Sequence, residues 1–412
     1  MGALSHIRVL DMSRVLAGPW CSQTLSDLGA EVIKIERPGR GDDTRGWGPP
    51  FLPDDEGNRT SESAYFLSTN RGKKSVAINI ASPEGQELIR ELATGVDVLI
   101  ENYKQGDLKK YGLDYETLAK INPGLVYCSI TGFGQYGTRA KEPGYDFMIQ
   151  GACGFMTITG ERADLPGGGP QKSGIALADF STGLYSAIAI QAALLSRTQT
   201  GKGQYIDMAL FDTMIALLAN QEMNYFSSGV IPLSYGNASA NIVPYQVFKS
   251  KDREFIIACG NDTQFAALCQ AIGLPEVATN PKFTTNAQRI INRVELIDDI
   301  FAKHFLTKTT DEWVEIINAA KVPVGPINNI EQALNEPQTK ERELVIEMEH
   351  PFNKKLKMVG CPIKLSDTPV EYKMVPPLLG QHTAEVLKQN LNLSDERLAE
   401  LQEKGVVGLR KD

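Results

Sequence analysis

Two features that the sequence lacks exclude broad classes of partner. The chain of 412 residues has no stretch of about 20 apolar residues, the length that a membrane-spanning helix needs, so we expect no membrane partner. It has no run of Lys or Arg, and 42 basic against 50 acidic residues give a net charge of −8, so we expect no nucleic-acid partner. A local basic cluster could still bind a small molecule that carries phosphate.

Cysteine and histidine are scarce, and neither forms a pattern typical of a metal site. The six Cys contain no CxxC pair and the four His lie far apart, so we expect no metal site. Scattered thiols fit a reducing compartment. Because the sequence opens on a strand-like segment and not on a charged and then apolar leader, we expect a cytoplasmic or matrix-like location, and of the two the cytoplasm.

Nucleotide-binding fingerprints are also missing, although the first residues imitate one. A strand and a helix lead to Val32–Glu36, a second strand closed by an acidic residue. The turn after the first strand, Met12–Pro19, lacks the GxGxxG glycines that let a backbone approach a pyrophosphate. The run Gly167–Gly169 lacks the Lys-Ser/Thr of a P-loop. A nicotinamide dehydrogenase is therefore poorly supported.

What the sequence does contain is an alternation of short β-branched runs and helical patterns, which predicts an α/β fold with a parallel sheet. We expect a large Rossmann-like domain over 1–228 and a smaller α+β domain over 229–330, with a hairpin and a capping box at Thr309 and Glu312. Residues 331–412 are predicted to return to the large domain. The main predicted strands are 7–12, 31–36, 75–80, 96–101, 125–130 and 203–209, and the main predicted helices are 18–29, 83–94, 114–121, 180–197 and 209–228.

Asp179 stands out because it is a lone carboxylate at the end of the apolar run Gly174–Gly183, just before an alanine-rich helix. A carboxylate among the free N–H groups of a helix start is expected to be held ionised, so that it can attack a carbonyl carbon without a general base. Asp is also a favoured helix cap. The local pattern leaves both roles open.

Short motifs follow one another in order along nearly the whole chain. They are Arg14–Pro19, Leu28–Gly39, Gly41–Arg45, Asn70–Ser75, Glu101–Tyr103, Ser129–Gly134, Gly144–Asp146, Gly174–Gly183, Thr200–Gln204, Pro244–Phe248 and Leu379–Thr383. Together they resemble the class III CoA-transferases, a family that includes formyl-CoA:oxalate, carnitine and succinyl-CoA:dicarboxylate enzymes. Asp179 falls where this family carries its nucleophilic aspartate, so the resemblance favours catalysis over capping.

Weaker cues resemble one subgroup, the succinyl-CoA:glutarate or hydroxymethylglutarate transferases. They are Asp42–Pro50, Gly325–Asn329 and Glu347–Pro351. Leu16 stands where formyl-CoA:oxalate enzymes carry a Gln, which disfavours oxalate as acceptor. The resemblance implies transfer of CoA from succinyl-CoA to a short dicarboxylate such as glutarate, through an aspartyl anhydride and an aspartyl-CoA thioester. It implies no tightly bound cofactor, since the CoA thioester is a substrate.

Several positions match family residues that bind CoA. They are Val15, Leu16 and Ala17 on the thiol and pantetheine path, Arg37 at the adenosine phosphates, Asn102 and Tyr103 beside the nucleotide, and Lys110 as a further charge. Arginine and lysine both suit phosphate oxygens. The alternative for Arg37 and Lys110 is an ordinary solvated charge.

Three further residues are predicted to meet the acyl group or the acceptor. Arg45 is our hypothesis for the partner of the non-reacting carboxylate, because burying that group unpaired is costly. Tyr145 could donate a hydrogen bond to an acyl oxygen or be a buried structural tyrosine. Gly260, in the turn Cys259–Asn261, matches a family loop that closes over the reactive carbonyl, and a plain hairpin exit is the alternative.

The resemblance also implies an interlaced homodimer, in which each chain is a ring threaded by its partner. Two other functions stay open. Acyl-CoA racemases share the fold but carry His where this chain has Tyr145, and a phenol with a pKa of about 10 is a poor base near neutral pH. A non-catalytic CoA-binding protein is the second alternative.

Overall fold

The computed structural model describes residues 2–410, which form two compact units. The large unit comprises the chain up to Phe155, Ser173–Met223 and the chain from Arg342 onward. The small unit comprises Met156–Lys172 and Asn224–Glu341. The domain boundaries predicted from the sequence stay a prediction, because compactness of the folded chain does not show which segments fold as domains.

The strands lie in both units and are mostly short. In chain order they are β1 (Arg8–Asp11), β2 (Glu31–Glu36), β3 (Phe51–Pro53), β4 (Arg59–Ser63), β5 (Lys73–Ile78), β6 (Val98–Glu101), β7 (Val126–Thr131), β8 (Tyr205–Ala209), β9 (Tyr245–Lys249), β10 (Glu254–Ala258), β11 (Val324–Pro326), β12 (Val345–His350), β13 (Asn353–Val359) and β14 (Val407–Gly408).

The helices connect and cover these strands. In chain order they are α1 (Ala17–Asp27), α2 (Ala64–Leu67), α3 (Pro83–Thr94), α4 (Tyr115–Ile121), α5 (Asp146–Ala152), α6 (Phe155–Ile158), α7 (Leu177–Thr200), α8 (Leu210–Ala216), α9 (Asn220–Ser228), α10 (Asp262–Ala271), α11 (Pro275–Thr279), α12 (Asn286–Ile291), α13 (Ala302–Phe305), α14 (Thr310–Ala319), α15 (Ile330–Asn335), α16 (Pro337–Glu341), α17 (Thr383–Leu391) and α18 (Asp395–Glu403).

The large unit is built on a sheet with the strand order β14-β5-β2-β1-β6-β7-β8. All its strands are parallel except the edge strand β14. Without β14, the order is that of a doubly wound nucleotide-binding sheet, in which ligands bind where the order reverses, here between β1 and β6. The predicted α/β fold with a parallel sheet is confirmed.

Apolar residues on both faces of the strands explain why this sheet is central. Successive side chains of a strand point to opposite faces. Leu10 and Ile33 accordingly belong to one buried cluster, and Val9 and Val32 belong to another. A parallel sheet covered by helices on both faces needs such continuous apolar strands.

The longest helix, α7, packs against α1 at a close approach. A Cβ added to Gly183 would lie 2.6 Å from the carbonyl oxygen of Ala17, so this contact requires glycine. The helix ends at Gly201, whose φ of 68° is left-handed, a common helix C-terminus. The contact holds the start of α1 against the N-terminal half of α7.

The small unit carries the antiparallel sheet β11-β10-β9. Its core is rich in aromatic residues, among them Phe248, Phe305 and Trp313. The predicted hairpin is present, and Thr309 and Glu312 form the predicted capping box at α14.

One predicted helix is wrong. The sequence suggested a single helix over 209–228, but α8 ends at Ala216 and α9 begins at Asn220. Ala219 between them has a φ of 49°, which a continuous right-handed helix does not allow.

Within residues 2–410, every helix is too short or too polar to cross a bilayer.

Candidate active site

The predicted site residues of the large unit meet at the point where the strand order reverses. A cavity of about 270 Å³ opens there between the segments that follow β1 and β6 and the first turn of α7. Its lining includes the predicted residues Val15, Leu16, Ala17, Asn102, Tyr103, Tyr145 and Asp179.

The turn after β1 is strained and is held from two sides. Val15 has a φ of 70°, a left-handed conformation that a β-branched residue rarely adopts. Its N–H donates to the carboxylate of Asp42 at 3.2 Å. The side chain of Asn102 accepts from the N–H of Arg14 at 2.9 Å and donates to the carbonyl of Arg14 at 2.7 Å. These contacts hold the turn that leads into α1.

Asp42 can hold the turn because it lies in a buried network of charges. It forms an ion pair with Lys34 at 3.0 Å, and both side chains are buried. Its own N–H donates to Glu36 at 2.9 Å. The nearby Lys34 ammonium holds the pKa of Asp42 below its usual range even though burial raises it. The site therefore rests on charges fixed at the ends of the strands.

Asp179 lies in the first turn of α7 and accepts a hydrogen bond from the N–H of Ala17. Burial raises the pKa of Asp179, and the nearby carboxylate of Asp146 raises it further, to about 7. The bond from Ala17 acts in the opposite direction but is the smaller effect. A carboxylate whose pKa is raised to about 7 is more basic than an ordinary Asp side chain.

The expectation that the helix start holds Asp179 ionised is wrong. The N–H groups of Ala178 and Asp179 donate to Oδ1 of Asp146, at 2.7 Å and 3.4 Å. Because these N–H groups already donate to Asp146, they do not lower the pKa of Asp179. Burial raises that pKa. Asp146, and not Asp179, is the carboxylate that satisfies the start of α7.

Tyr145 precedes Asp146 and lines the same cavity. It is 66% exposed, so it is not a buried structural tyrosine. Its predicted hydrogen bond to an acyl oxygen stays a prediction.

A second cavity, of about 440 Å³, adjoins the first, and five Lys and Arg against four Asp and Glu side chains line it; we call it the basic cavity. Both predicted phosphate ligands, Arg37 and Lys110, line it. Arg14 and Arg40 join them, and Asp43 holds these two arginines together by accepting from each at 3.0 Å. The two cavities share Arg14, Asp43, Tyr103 and Asp107. A long anionic ligand could therefore extend from the basic cavity to Asp179.

Arg45 does not line either cavity. Its guanidinium makes two hydrogen bonds to Glu36, at 2.7 Å and 2.8 Å, lies 3.6 Å from Glu62 and stacks over Phe66. The predicted contact with a substrate carboxylate stays a prediction, and this placement does not support it. Gly260 lies in the small unit, where its N–H donates to Gln264 at 2.8 Å, and its role also stays a prediction.

Four residues of the site were missed by the sequence reasoning. Arg14, Asp43 and Asp146 fall inside the motifs that carry the family resemblance, so those motifs were the available signal. Arg40 had none, since a charged residue in a loop is usually solvated. Among the described residues, no group of His, Cys, Asp or Glu is arranged to hold a metal ion.

The switch-point cavity, the partly buried Asp179 and the adjacent basic cavity lie together in the large unit. CoA-transferase family III matches residues 4–383, and the chain belongs to this family. The resemblance expected from the motifs is confirmed, and the chain is a CoA-transferase.

Individual relatives cover nearly the whole chain. The chain is 47% identical to the succinate–glutarate CoA-transferase of Agrobacterium fabrum, over 94% of this chain and 95% of that protein. It is 44% identical to the human succinyl-CoA:glutarate CoA-transferase, over 98% of this chain and 90% of that protein. The crystal structure of a CAIB/BAIF family protein from Brucella suis superimposes with a TM-score of 0.83 at 47% identity, covering 94% of this chain and 99% of that one.

Asp179→Asn is expected to raise the melting temperature at pH 8. The folded chain raises the pKa of Asp179 from 3.8 to about 7, so the stability that this group contributes when protonated is lost as pH rises through that range. The charge should cost on the order of a few kcal/mol above pH 7. Thermal unfolding of both proteins at pH 8 and pH 5 measures this, and the gain should shrink at pH 5.

Asp212→Asn is the matched control, since Asp212 lies in the first turn of α8 and does not line the cavity. Equal melting temperatures for Asp179→Asn and the unmodified protein at pH 8 would contradict the raised pKa.

Proposed function

We propose that this protein transfers CoA from succinyl-CoA to a short dicarboxylate such as glutarate, with Asp179 as the nucleophile. The substrates are inferred from the names of the two relatives at 47% and 44% identity. The observation that carries the proposal is the position of Asp179: a partly buried carboxylate beside the N–H of Ala17, in a cavity that adjoins a cluster of cations.

The proposed reaction needs only a carboxylate that can hold an acyl group. Asp179 attacks the carbonyl carbon of succinyl-CoA, the C–S bond breaks, and a mixed anhydride and a CoA thiolate form. The thiolate attacks the aspartyl carbonyl of the anhydride, and succinate leaves. The acceptor carboxylate attacks the carbonyl carbon of the resulting aspartyl-CoA thioester, the C–S bond breaks, and a second anhydride and the CoA thiolate form. The thiolate then takes the acceptor's acyl group and releases Asp179 as a carboxylate.

Two features of the cavity favour this chemistry. The raised pKa makes Asp179 a stronger nucleophile than an ordinary carboxylate once it is ionised. The N–H of Ala17 faces the aspartyl group, where each tetrahedral intermediate develops an oxyanion. Loss of one such donor typically costs about 10²–10³ in rate.

The two adjoining cavities suit the two ends of CoA. The phosphates would lie in the basic cavity near Arg37, Arg40 and Lys110, and the pantetheine arm would follow Val15–Ala17 toward Asp179. The side chains of Arg37 and Arg40 are exposed there, so they can reach phosphate oxygens without first losing a buried partner.

A homodimer is also proposed, supported by an apolar stripe on α7. Leu184, Ile188 and Leu195 are 47%, 61% and 67% exposed, and they recur at the spacing of one helix face. A stripe of this kind on an otherwise well-packed helix marks a contact surface.

The expected cytoplasmic location stays a prediction.

The racemase alternative is weaker, since it needs a base on each side of the α-carbon and this chain has Tyr145 where the racemases carry His. A non-catalytic CoA-binding protein would not need a strongly basic carboxylate in its cavity.

Asp179 should form a covalent adduct with the donor. Incubation with succinyl-CoA and hydroxylamine is expected to convert Asp179 to a hydroxamate, and intact-mass and peptide mass spectrometry locate it. Asp179→Ala should show no adduct and lose at least about 10³ of the exchange rate between succinyl-CoA and glutarate. Wild-type exchange by a folded Asp179→Ala protein would sink the proposal.

Arg37→Ala and Lys110→Ala should each raise the KM for succinyl-CoA about tenfold, because each removes a charged hydrogen bond to a phosphate. Steady-state kinetics with succinyl-CoA and with its 3′-dephospho analogue measure this. The matched control is Lys109→Ala, since Lys109 is the exposed neighbour that does not line the basic cavity. If Lys109→Ala changes the KM for succinyl-CoA as much as the two variants do, Arg37 and Lys110 do not bind the phosphates of CoA.

Ile188→Asp should prevent assembly of the dimer, because it places a charge in the middle of the apolar stripe. Sedimentation velocity is expected to give about twice 45.1 kDa for the unmodified chain and 45.1 kDa for the variant. Ile121→Asp, an equally charged change at a 46% exposed residue on α4, should stay dimeric. A monomeric unmodified chain would contradict the proposal.

A further inference from the structure

Asp146 is tied to α7 and to its own helix α5 by hydrogen bonds to its two carboxylate oxygens, and through Gln150 to the segment before α7. Oδ1 accepts from the N–H groups of Ala178 and Asp179, at 2.7 Å and 3.4 Å. Oδ2 accepts from Nε2 of Gln150 at 2.6 Å. Gln150 is fully buried, and its Oε1 accepts from the N–H of Ser173 at 2.8 Å. One carboxylate therefore links α5, the segment before α7 and α7 itself.

This linkage fixes where Asp179 can be. Asp146 binds the backbone N–H of Asp179 itself. A movement of Asp146 is therefore expected to move the side chain of Asp179, the proposed nucleophile. A misplacement of about 1 Å at a reacting group is enough to cost on the order of 10² in rate.

We propose that Asp146 is a positioning residue that also promotes the acyl-transfer step, because its fixed negative charge repels the carboxylate of Asp179 and this repulsion disappears when Asp179 becomes an anhydride or a thioester. The inference rests on the proposed function, since it assigns Asp146 a part in the same reaction.

The charge balance follows from the chemistry of Asp179. As a free carboxylate it carries one negative charge beside Asp146. When it attacks the donor carbonyl and the C–S bond breaks, that charge leaves with the CoA thiolate, and the aspartyl group becomes neutral. Asp146 thus destabilises the reactant side of the step and not the acyl-enzyme. The donors around Asp146 are all N–H groups, which stabilise its own negative charge.

Other groups near Asp179 act on it less. Burial, and after it the negative charges of Asp179 and Asp146, raise the pKa of Tyr65 on α2, so it stays a neutral phenol. The remaining charged side chains that line the cavity are Arg14, Asp43, Lys104, Asp107, Lys141 and Glu142. Asp146 is the charged group that acts on the pKa of Asp179 in the described structure.

The test is the pH dependence of kcat/KM in Asp146→Asn, a variant that keeps an oxygen to accept from the start of α7 but removes the charge. The midpoint of the rise in kcat/KM, expected near pH 7 in the unmodified protein, should move to lower pH by about one unit. At pH 8, kcat should fall about 10- to 100-fold, with the KM for succinyl-CoA unchanged within about twofold. Asp146→Glu, which keeps the charge, should restore the high midpoint.

Asp146→Ser serves as a second variant, because its hydroxyl can also accept from an N–H group if the amide does not fit. Asp212→Asn, which removes a charge from the first turn of the neighbouring helix α8, should keep both kcat and the midpoint. A folded Asp146→Asn protein whose kcat falls while its midpoint stays near pH 7 would reduce Asp146 to a structural cap and overturn the electrostatic part. Unchanged kcat and midpoint would overturn the whole inference.

The adduct experiment separates this inference from the proposed function. If the unmodified protein forms no hydroxamate on Asp179, the proposed function fails first. If it forms one, and Asp146→Asn forms it at the same rate and with the same pH midpoint, only the role of Asp146 fails.

Discussion

The hydrogen bonds from the first turn of α7 to Asp146 decide what kind of carboxylate Asp179 is. A helix start offers free N–H groups that would lower the pKa of a nearby acid. Here Asp146 takes the N–H groups of Ala178 and Asp179, so the only donor described for the side chain of Asp179 within residues 2–410 is the N–H of Ala17. Burial then dominates, and the pKa rises to about 7. The ionised form of Asp179 is therefore less stable, and more basic, than that of a carboxylate bound by the N–H groups of a helix start.

The turn after β1 is likewise held in place by charged side chains that are themselves held by other charges. Val15 can keep a left-handed backbone because Asp42 binds its N–H, and Asp42 is itself held by Lys34. Buried pairs of this kind add little net stability, since desolvation offsets their attraction. Breaking one leaves a buried charge unpaired, which is costly. Their contribution here is a single geometry for the turn, so that the N–H of Ala17 faces Asp179.

The sequence predicted the elements that local pattern controls. The apolar strands around β1, β2 and β6 and the helix of Asp179 were placed close to their observed ends, because both are encoded by the spacing of apolar residues. The break at Ala219 was not predicted, since nothing in the local pattern of 209–228 marks it. The family motifs located Asp179 and the segments that line its cavity.

Long-range partners could not be predicted in the same way. Arg45 was expected to meet substrate, but Glu36 binds its guanidinium, and that pairing depends on how the end of β2 folds back. The ionisation of Asp179 was expected from its helix alone, whereas burial, and after it the carboxylate of Asp146, 33 residues away in the chain, raise its pKa. A sequence shows which charged residues are present, but the folded structure determines which of them form ion pairs with each other. Residues left over after that pairing, such as Arg37, are the better candidates for ligand binding.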